Sequence, residues 1–236
     1  MKHCFIVTSA VNSRFGMYTP IERLEQTVAT VTSIRDHVPD AMIVIMEVTG
    51  VPVTPEQTAI LASVCDIFLD FTDEEEVRRL YHSTDNWDVV KNGTEIMCFG
   101  QALTLLKDDN EFIGVDRIHK MSGRYVINNL FSHTLYEQEA DKIIIGRKHT
   151  SQFPIEITQQ GWQYMARLWS WPVALLDEVI GVYTDSFAHF NERVSNGGYT
   201  DIEHVLAKFL NPAHVVEVDQ VGVEGTIAPN GTYIKN

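Results

Sequence analysis

The chain has 236 residues, 44% of them hydrophobic, with 32 acidic against 18 basic side chains and a net charge of −14. That composition suits one large α/β domain with a real core and excludes a disordered chain, which needs low hydrophobicity and high charge. So acidic a surface repels nucleic acid unless a basic stripe relieves it, and none exists: Arg78-Arg79 is the densest pair.

In chain order, "CFIVTSA" (4–10) is a short apolar run that predicts a buried strand. "TPIERLEQTVATVTSIRDHV" (19–38) predicts a helix: Thr19 can cap it, Pro20 suits its first turn, and Ile21, Leu24, Val28, Val31, Ile34 and Val38 form an apolar stripe. "AMIVIMEV" (41–48) is a second strand, and the helix at 54–65 repeats the Thr-Pro start. A third strand (66–71) and helix (74–82) follow. This alternation with short connections predicts a parallel sheet covered on both faces, with ligands gathering beyond the carboxyl ends of its strands.

Residues 83–92 read as a polar loop, 94–107 as a helix and 112–121 as a fourth strand. Beyond it, 141–146 is a strand, 162–171 alternates weakly, 174–194 and 199–210 are helices, and 213–218 is a late strand before a Gly/Pro tail, "GVEGTIAPNGTYIKN". The expectation is a single domain over 1–236, with a nucleotide-binding half at 1–125 and an acceptor half at 126–236. Cys4, Cys65 and Cys98 lie far apart without a Cys-x-x-Cys pair, so free buried thiols in a reducing compartment are expected. No stretch approaches the ~20 apolar residues of a membrane span. A soluble, cytoplasmic protein is expected.

Five constellations could carry chemistry. "TSAVNSRFG" (8–16) sets Thr8, Ser9 and Arg14 after the first strand, where backbone amides beside a helix start favour a phosphate or nucleoside edge. It is neither GxGxxG nor a Walker loop, and an ordinary loop with a solvated Arg14 is the plain alternative. Glu47 and Asp70 end the second and third strands, where a carboxylate can accept from a base or a ribose, or simply pair or cap. "KNGTE" (91–95) offers an Asn92-Gly93 turn, Lys91 aimed across the rim and a helix-start Glu95. "HKMSGRY" (119–125) gathers Asp116, His119, Lys120, Ser122 and Arg124 at the fourth strand end. Gly123 would allow a sharp turn there. Lys and Arg suit a phosphate as point charge and fork; surface cations on a strand-to-helix turn are the alternative. Finally, Asp201, Glu203 and His204 open a helix, as caps or as a base for an acceptor hydroxyl. His204 with Asp201 lacks a third metal ligand.

Taken in order, "TSAVNSR", "PIERLEQTVATVTSIRDHVPDAMIVIMEVTG", "KNGTE", "HKMSGRY" and "TDIEHVL…VGVEGTIAPNG" resemble GT-A-like glycosyltransferases of phage, giant-virus and bacterial surface-polysaccharide systems. Lys-x-Ser-Gly-Arg-Tyr is the most distinctive piece, and the resemblance spans nearly the whole chain. It implies a mixed, mostly parallel Rossmann-like sheet. It also implies hexosyl transfer from a nucleotide-diphosphate sugar to a hydroxyl of a glycan acceptor. Thr8, Ser9, Arg14 and Glu47 would hold the nucleoside, and the fourth-strand motif would lie beside the diphosphate and donor sugar. The sequence departs from that pattern in having no Asp-x-Asp, the usual metal holder. Lys120 and Arg124 are therefore expected to replace the metal, with no other cofactor. The base candidates are Glu203, Asp201, His204 and Asp116, in that order. A non-catalytic nucleotide-sugar binder, or another transferase on a similar sheet, are the alternative readings. The oligomeric state is not legible.

Overall fold

The computed structural model describes residues 1–227 and 232–235. Its elements are β1 (His3–Ser9), α1 (Pro20–His37), β2 (Met42–Glu47), α2 (Pro55–Val64), β3 (Ile67–Asp70), α3 (Glu75–Ser83), α4 (Trp87–Asp108), β4 (Arg117–Ser122), β5 (Tyr125–Ile127) and α5 (His133–Gln138). They continue with β6 (Ile143–Gly146), β7 (His149–Thr150), α6 (Ile155–Thr158), β8 (Trp162–Gln163) and β9 (Leu168–Pro172). A 3-10 turn (Val173–Leu175), α7 (Leu176–Ser195), α8 (Ile202–Phe209), β10 (Val215–Val218), β11 (Val223–Ile227) and β12 (Thr232–Lys235) complete the chain.

A seven-stranded sheet runs in the order β10-β6-β9-β4-β1-β2-β3. All its pairings are parallel except those of β9, which is antiparallel to both β4 and β6. The two-residue period of a strand divides β1 between two cores. Cys4 and Ile6 join Ile96, Phe99, Leu103, Tyr183 and Val205 under α4, α7 and α8. Phe5 and Val7 join Val31, Ile34 and Leu61 under α1 and α2. All four β1 residues are fully buried, as a central strand covered on both faces requires, and each large apolar side chain contributes roughly 1.5–3 kcal/mol by leaving water.

Local chemistry explains the helix starts. Thr19 Oγ1 accepts from the Glu22 amide at 3.3 Å while the Glu22 carboxylate accepts from the Thr19 amide at 2.6 Å. Thr54 and Gln57 repeat this reciprocal box at 3.2 and 2.8 Å, and each box satisfies amides that a helix start leaves unpaired. All three cysteines are free, Cys4 and Cys98 buried and Cys65 partly so. No helix among the described residues is long and apolar enough to cross a membrane.

Several sequence expectations need correction. Ile21, assigned to the buried stripe of α1, is 70% exposed, because the first turn overhangs the sheet edge and burial begins at Thr27. The loop expected at 83–92 ends at Asn86, which caps α4 by accepting from the amides of Asp88 and Val89. The Asn92-Gly93 turn is therefore helix interior. Glycine is needed there for a close crossing: a Cβ would meet Leu80 Cδ2 at 2.7 Å and the Phe190 ring at 2.8 Å. The fourth strand begins at Arg117, since Asn110 (φ 62°) and Gly114 (φ 77°) turn the preceding chain. β4 passes to β5 and not to a helix. Gly123 sits there for space, not for unusual angles, because a Cβ would lie 2.9 Å from the Thr8 carbonyl oxygen. The weakly alternating segment contains β9, whose Trp169 and Trp171 are buried mid-sheet. The expected tail holds β11 and β12; β11 pairs with β5 on one side and β12 on the other in a small antiparallel sheet. Residues 228–231 of its "GTIAPNGT" stretch lie outside the described residues.

Candidate functional site

A cleft of about 350 Å³ opens at the carboxyl ends of β1, β2 and β4. Such sheets bind ligands at this rim. β1 brings Thr8 and Ser9, the turn after β2 brings Thr49, and the end of β4 brings Ser122, Gly123 and Arg124. The facing wall is α4, with Trp87, Lys91, Thr94 and Glu95, and the far end is closed by Arg14, Phe15 and Tyr81. Thr8, Ser9, Arg14, Lys91, Ser122 and Arg124, all singled out from sequence, thus line one cleft.

The cations of this cleft differ in what holds them. Arg14 donates to the carbonyls of Tyr81 (2.8 Å) and Thr84 (2.7 Å), pairs with Asp85 at 3.2 Å and lies 4.5 Å from the Phe15 ring centre. Its own amide donates to the Tyr81 hydroxyl at 2.7 Å. Arg23 donates to the Phe15 carbonyl at 2.7 Å. Burial, then the nearby Arg124, draws its pKa below the usual arginine value. Lys120 is 1% exposed: its Nζ lies 2.7 Å from Glu95 Oε1 and donates to the Ala166 carbonyl (2.9 Å) and Ser122 Oγ (3.0 Å). It therefore sits beneath the cleft, bracing α4 against β4, while Ser122 and Glu95 reach the surface above it. Arg124 and Lys91 are different. Among the described residues neither side chain has a hydrogen bond or ion pair; Lys91 Nζ lies 6.0 Å from the Trp87 ring.

Glu47 also stands behind the wall. Its two carboxylate oxygens accept from the Val11 amide at 3.0 and 3.1 Å, and Oε1 from Thr49 Oγ1 at 3.2 Å. Burial pushes its pKa up against those hydrogen bonds. Its work is to hold the loop after β1 in shape. Asp70 accepts from the Thr72 amide (2.9 Å) and hydroxyl (2.6 Å), capping the turn after β3 away from the cleft. Asp116 is at the wrong end of β4: it accepts from the Lys2 amide at 2.6 Å, six residues, or about 20 Å of strand, from Ser122. A base for chemistry in this cleft cannot be there. His119, expected in the same cluster, points into the opposite core, 2.8 Å from His3 and stacked on Phe5 at 4.2 Å between ring centres.

The start of α8 approaches α4 beside the cleft. Asn92 Nδ2 donates to the Tyr199 hydroxyl at 2.8 Å, and Asn92 Oδ1 accepts from the Ile202 amide at 3.4 Å. Asp201 is the helix cap, accepting from the His204 amide at 2.9 Å, and its Oδ1 is 2.5 Å from His204 Nδ1. His204 Nε2 is 2.8 Å from Ser151 Oγ, so this fully buried ring has both nitrogens engaged. Glu203 is half-buried. Burial and then Asp201 raise its pKa to about 7, against the pull of Lys91.

Glu95 was missed as more than a helix-start charge, and Tyr81 and Trp87 were not singled out. The available signal was a stripe: Asp88, Lys91, Asn92 and Glu95 are spaced i, i+3, i+4, i+7 and share one face of a helix. Reading the first of them as loop hid it.

No protein-family model and no curated protein matches the chain. Solved structures do. Core-mannan synthase A (CmsA/Ktr4) from Aspergillus fumigatus, in an Mn/GDP form, superposes with a TM-score of 0.52 at 9% identity, over 99% of this chain and 80% of that one. The fold is GT-A-like. A provisionally named nucleotide-diphospho-sugar transferase from Desulfovibrio desulfuricans G20 aligns at TM-score 0.46 and 14% identity, over 92% of this chain and 79% of that one.

The metal in the mannan synthase structure raises the question of whether these residues would hold one. Among the described residues no three His, Cys, Asp or Glu side chains gather where an ion could sit. Of the cleft's own carboxylates, Glu95 lies against the Lys120 ammonium and the exposed Asp85 pairs with Arg14. A hard divalent ion needs several oxygen ligands, and this donor set does not fit one.

Proposed function

We propose that the protein transfers a sugar from a nucleoside diphosphate sugar to a hydroxyl of a glycan acceptor, with side-chain cations in place of a divalent ion. The observation that carries the reading is the pair Arg124 and Lys91: two cations that line the rim cleft, one from the end of β4 and one from α4, without a hydrogen bond or ion pair among the described residues, in a chain of net charge −14. Arg124 presents a fork and Lys91 a compact charge to the diphosphate. Thr8, Ser9 and Thr49 offer hydroxyls, and Tyr81 and Phe15 ring faces, to the nucleoside. Lys120 contributes at one remove, by holding Ser122 and Glu95 in place and adding positive potential from below.

As the bond between the sugar's C1 and the phosphate oxygen breaks, negative charge grows on the leaving diphosphate, and cations already in position stabilise it without reorganising. Glu203 is the base. Its carboxylate takes the proton from the acceptor hydroxyl as that oxygen bonds to C1, and a pKa near 7 suits a group that must be ionised yet basic at neutral pH. Asp201 and His204 hold each other and the start of α8, and so position Glu203. A thermal-shift panel of nucleoside diphosphates tests the reading. The matching diphosphate at 100 times its Kd should stabilise the fold by about 2.7 kcal/mol, with EDTA present. No shift from any nucleoside diphosphate would refute the reading.

A further inference from the structure

Resting on that reading, we infer that Glu95 is the residue that reads the donor sugar, through hydrogen bonds accepted from free hydroxyls of the transferred ring. Its side chain is 12% exposed, and that exposed part lines the cleft floor. Lys120 anchors it from below at 2.7 Å. Lys91 and Arg124 act on it electrostatically, and it acts in turn on Glu203, so the groups with assigned roles lie within electrostatic reach of it. A diphosphate on Lys91 and Arg124 will not sit directly on a carboxylate. The uncharged sugar carried by that diphosphate is the part of the donor that suits Glu95.

A carboxylate accepts hydrogen bonds and donates none while ionised. Burial alone would push the Glu95 pKa up, but Lys120, then Lys91 and Arg124, outweigh it and hold the group below the usual glutamate value. An ionised acceptor in a partly dried cleft fits hydroxyl donors, and two neighbouring hydroxyls best of all. It rejects a ring position whose hydroxyl is missing, since the carboxylate then loses a partner it cannot replace. The substrate class is therefore a donor whose sugar keeps free hydroxyls on the face turned toward α4, in contrast to a deoxy sugar at those positions.

The test measures, by calorimetry, Kd for a nucleoside diphosphate and for the same nucleotide carrying glucose, galactose, mannose or a deoxyhexose. The ratio of the two values is the gain contributed by the sugar. In the wild-type protein the best hydroxylated sugar should gain about 10-fold or more, as hydrogen bonds to a charged group do. In Glu95→Gln that gain should fall to about 3-fold or less, while the bare diphosphate binds as well or better, because a negative charge near Lys91 and Arg124 has gone. Glu95→Gln leaves Lys120 buried without a counter-charge. The double variant Glu95→Gln/Lys120→Met removes both charges and preserves the fold's charge balance. It should also lose the sugar gain while keeping diphosphate affinity within about 3-fold. A bracing role alone predicts the reverse, with diphosphate and sugar forms weakened together. A sugar gain that survives in both variants overturns the Glu95 assignment alone. Failure of every nucleoside diphosphate to bind the wild-type protein overturns the transferase reading and this inference with it.

Discussion

The two ends of β4 carry similar residues to opposite ends. At its amino end Arg117 is fully buried and has no ion pair among the described residues; the guanidinium donates to the carbonyls of Glu139 (2.7 Å) and Lys142 (3.1 Å) and to Ser170 Oγ at 3.0 Å. Next to it His3 and His119 are kept neutral by burial. At the carboxyl end Lys120 is just as buried but faces Glu95, and Arg124, which has no side-chain hydrogen bond or ion pair among the described residues, lines a cleft. Residue type does not separate the end that is braced from the end that lines the cleft. Partners do: backbone carbonyls fix a cation permanently, whereas an unpartnered cation at a rim is available for an anionic ligand.

The largest effect should come from breaking the structural end. Arg117→Ala orphans two partly buried carbonyls and a buried hydroxyl, which costs on the order of 3 kcal/mol. Chemical denaturation should show that loss, while the diphosphate Kd of the protein that remains folded stays unchanged. At the other end, Glu203→Gln should lower transfer by at least about 10²-fold, with donor affinity intact and Tm little changed. The wild-type rate should rise with pH through about 7, as Glu203 ionises, and the variant should lose that limb. A near wild-type rate would remove Glu203 as the base.

A smaller, graded effect follows from the histidines. The folded-state pKa of His3 is lowered to about 4 by burial, then by His133, and His119 is lowered in the same direction by burial and then His3. The unfolded chain thus binds more protons than the folded one below the ordinary value of about 6.5. Their contribution to stability is intact above that pH and declines as pH falls from 6.5 toward 4. Denaturation midpoints in that window should fall in the wild-type protein and less steeply in His119→Phe.

Much of the fold was legible because its first half is written in strong local signals. The apolar runs of β1 and β2 and the Thr-Pro boxes of α1 and α2 need no tertiary context to be read. The polar start of α4 was not legible, because its polar stripe meets no apolar core: Asn92 is buried against the start of α8, Asp88 is half-buried and Lys91 is exposed at the cleft. β9 was obscured because five residues with Ser170 between two tryptophans carry little period. In the site, strand-end position correctly brought Thr8, Ser9, Ser122 and Arg124 together. Which way a side chain points at that end was not readable: Glu47 turns back to the Val11 amide, and Lys120 turns down to Glu95. Asp116 was counted with the rim because the strand was begun too early.

Calorimetric titration of the matching nucleoside diphosphate into the wild-type protein, Arg124→Ala and Lys91→Ala, each with and without EDTA, tests the central claim most directly. The account predicts wild-type binding that EDTA leaves unchanged and a loss of roughly 10–100-fold in Arg124→Ala, the worth of a charge-assisted contact, with Lys91→Ala weaker by a smaller factor. Binding that EDTA abolishes, or that survives in Arg124→Ala at full strength, would contradict it.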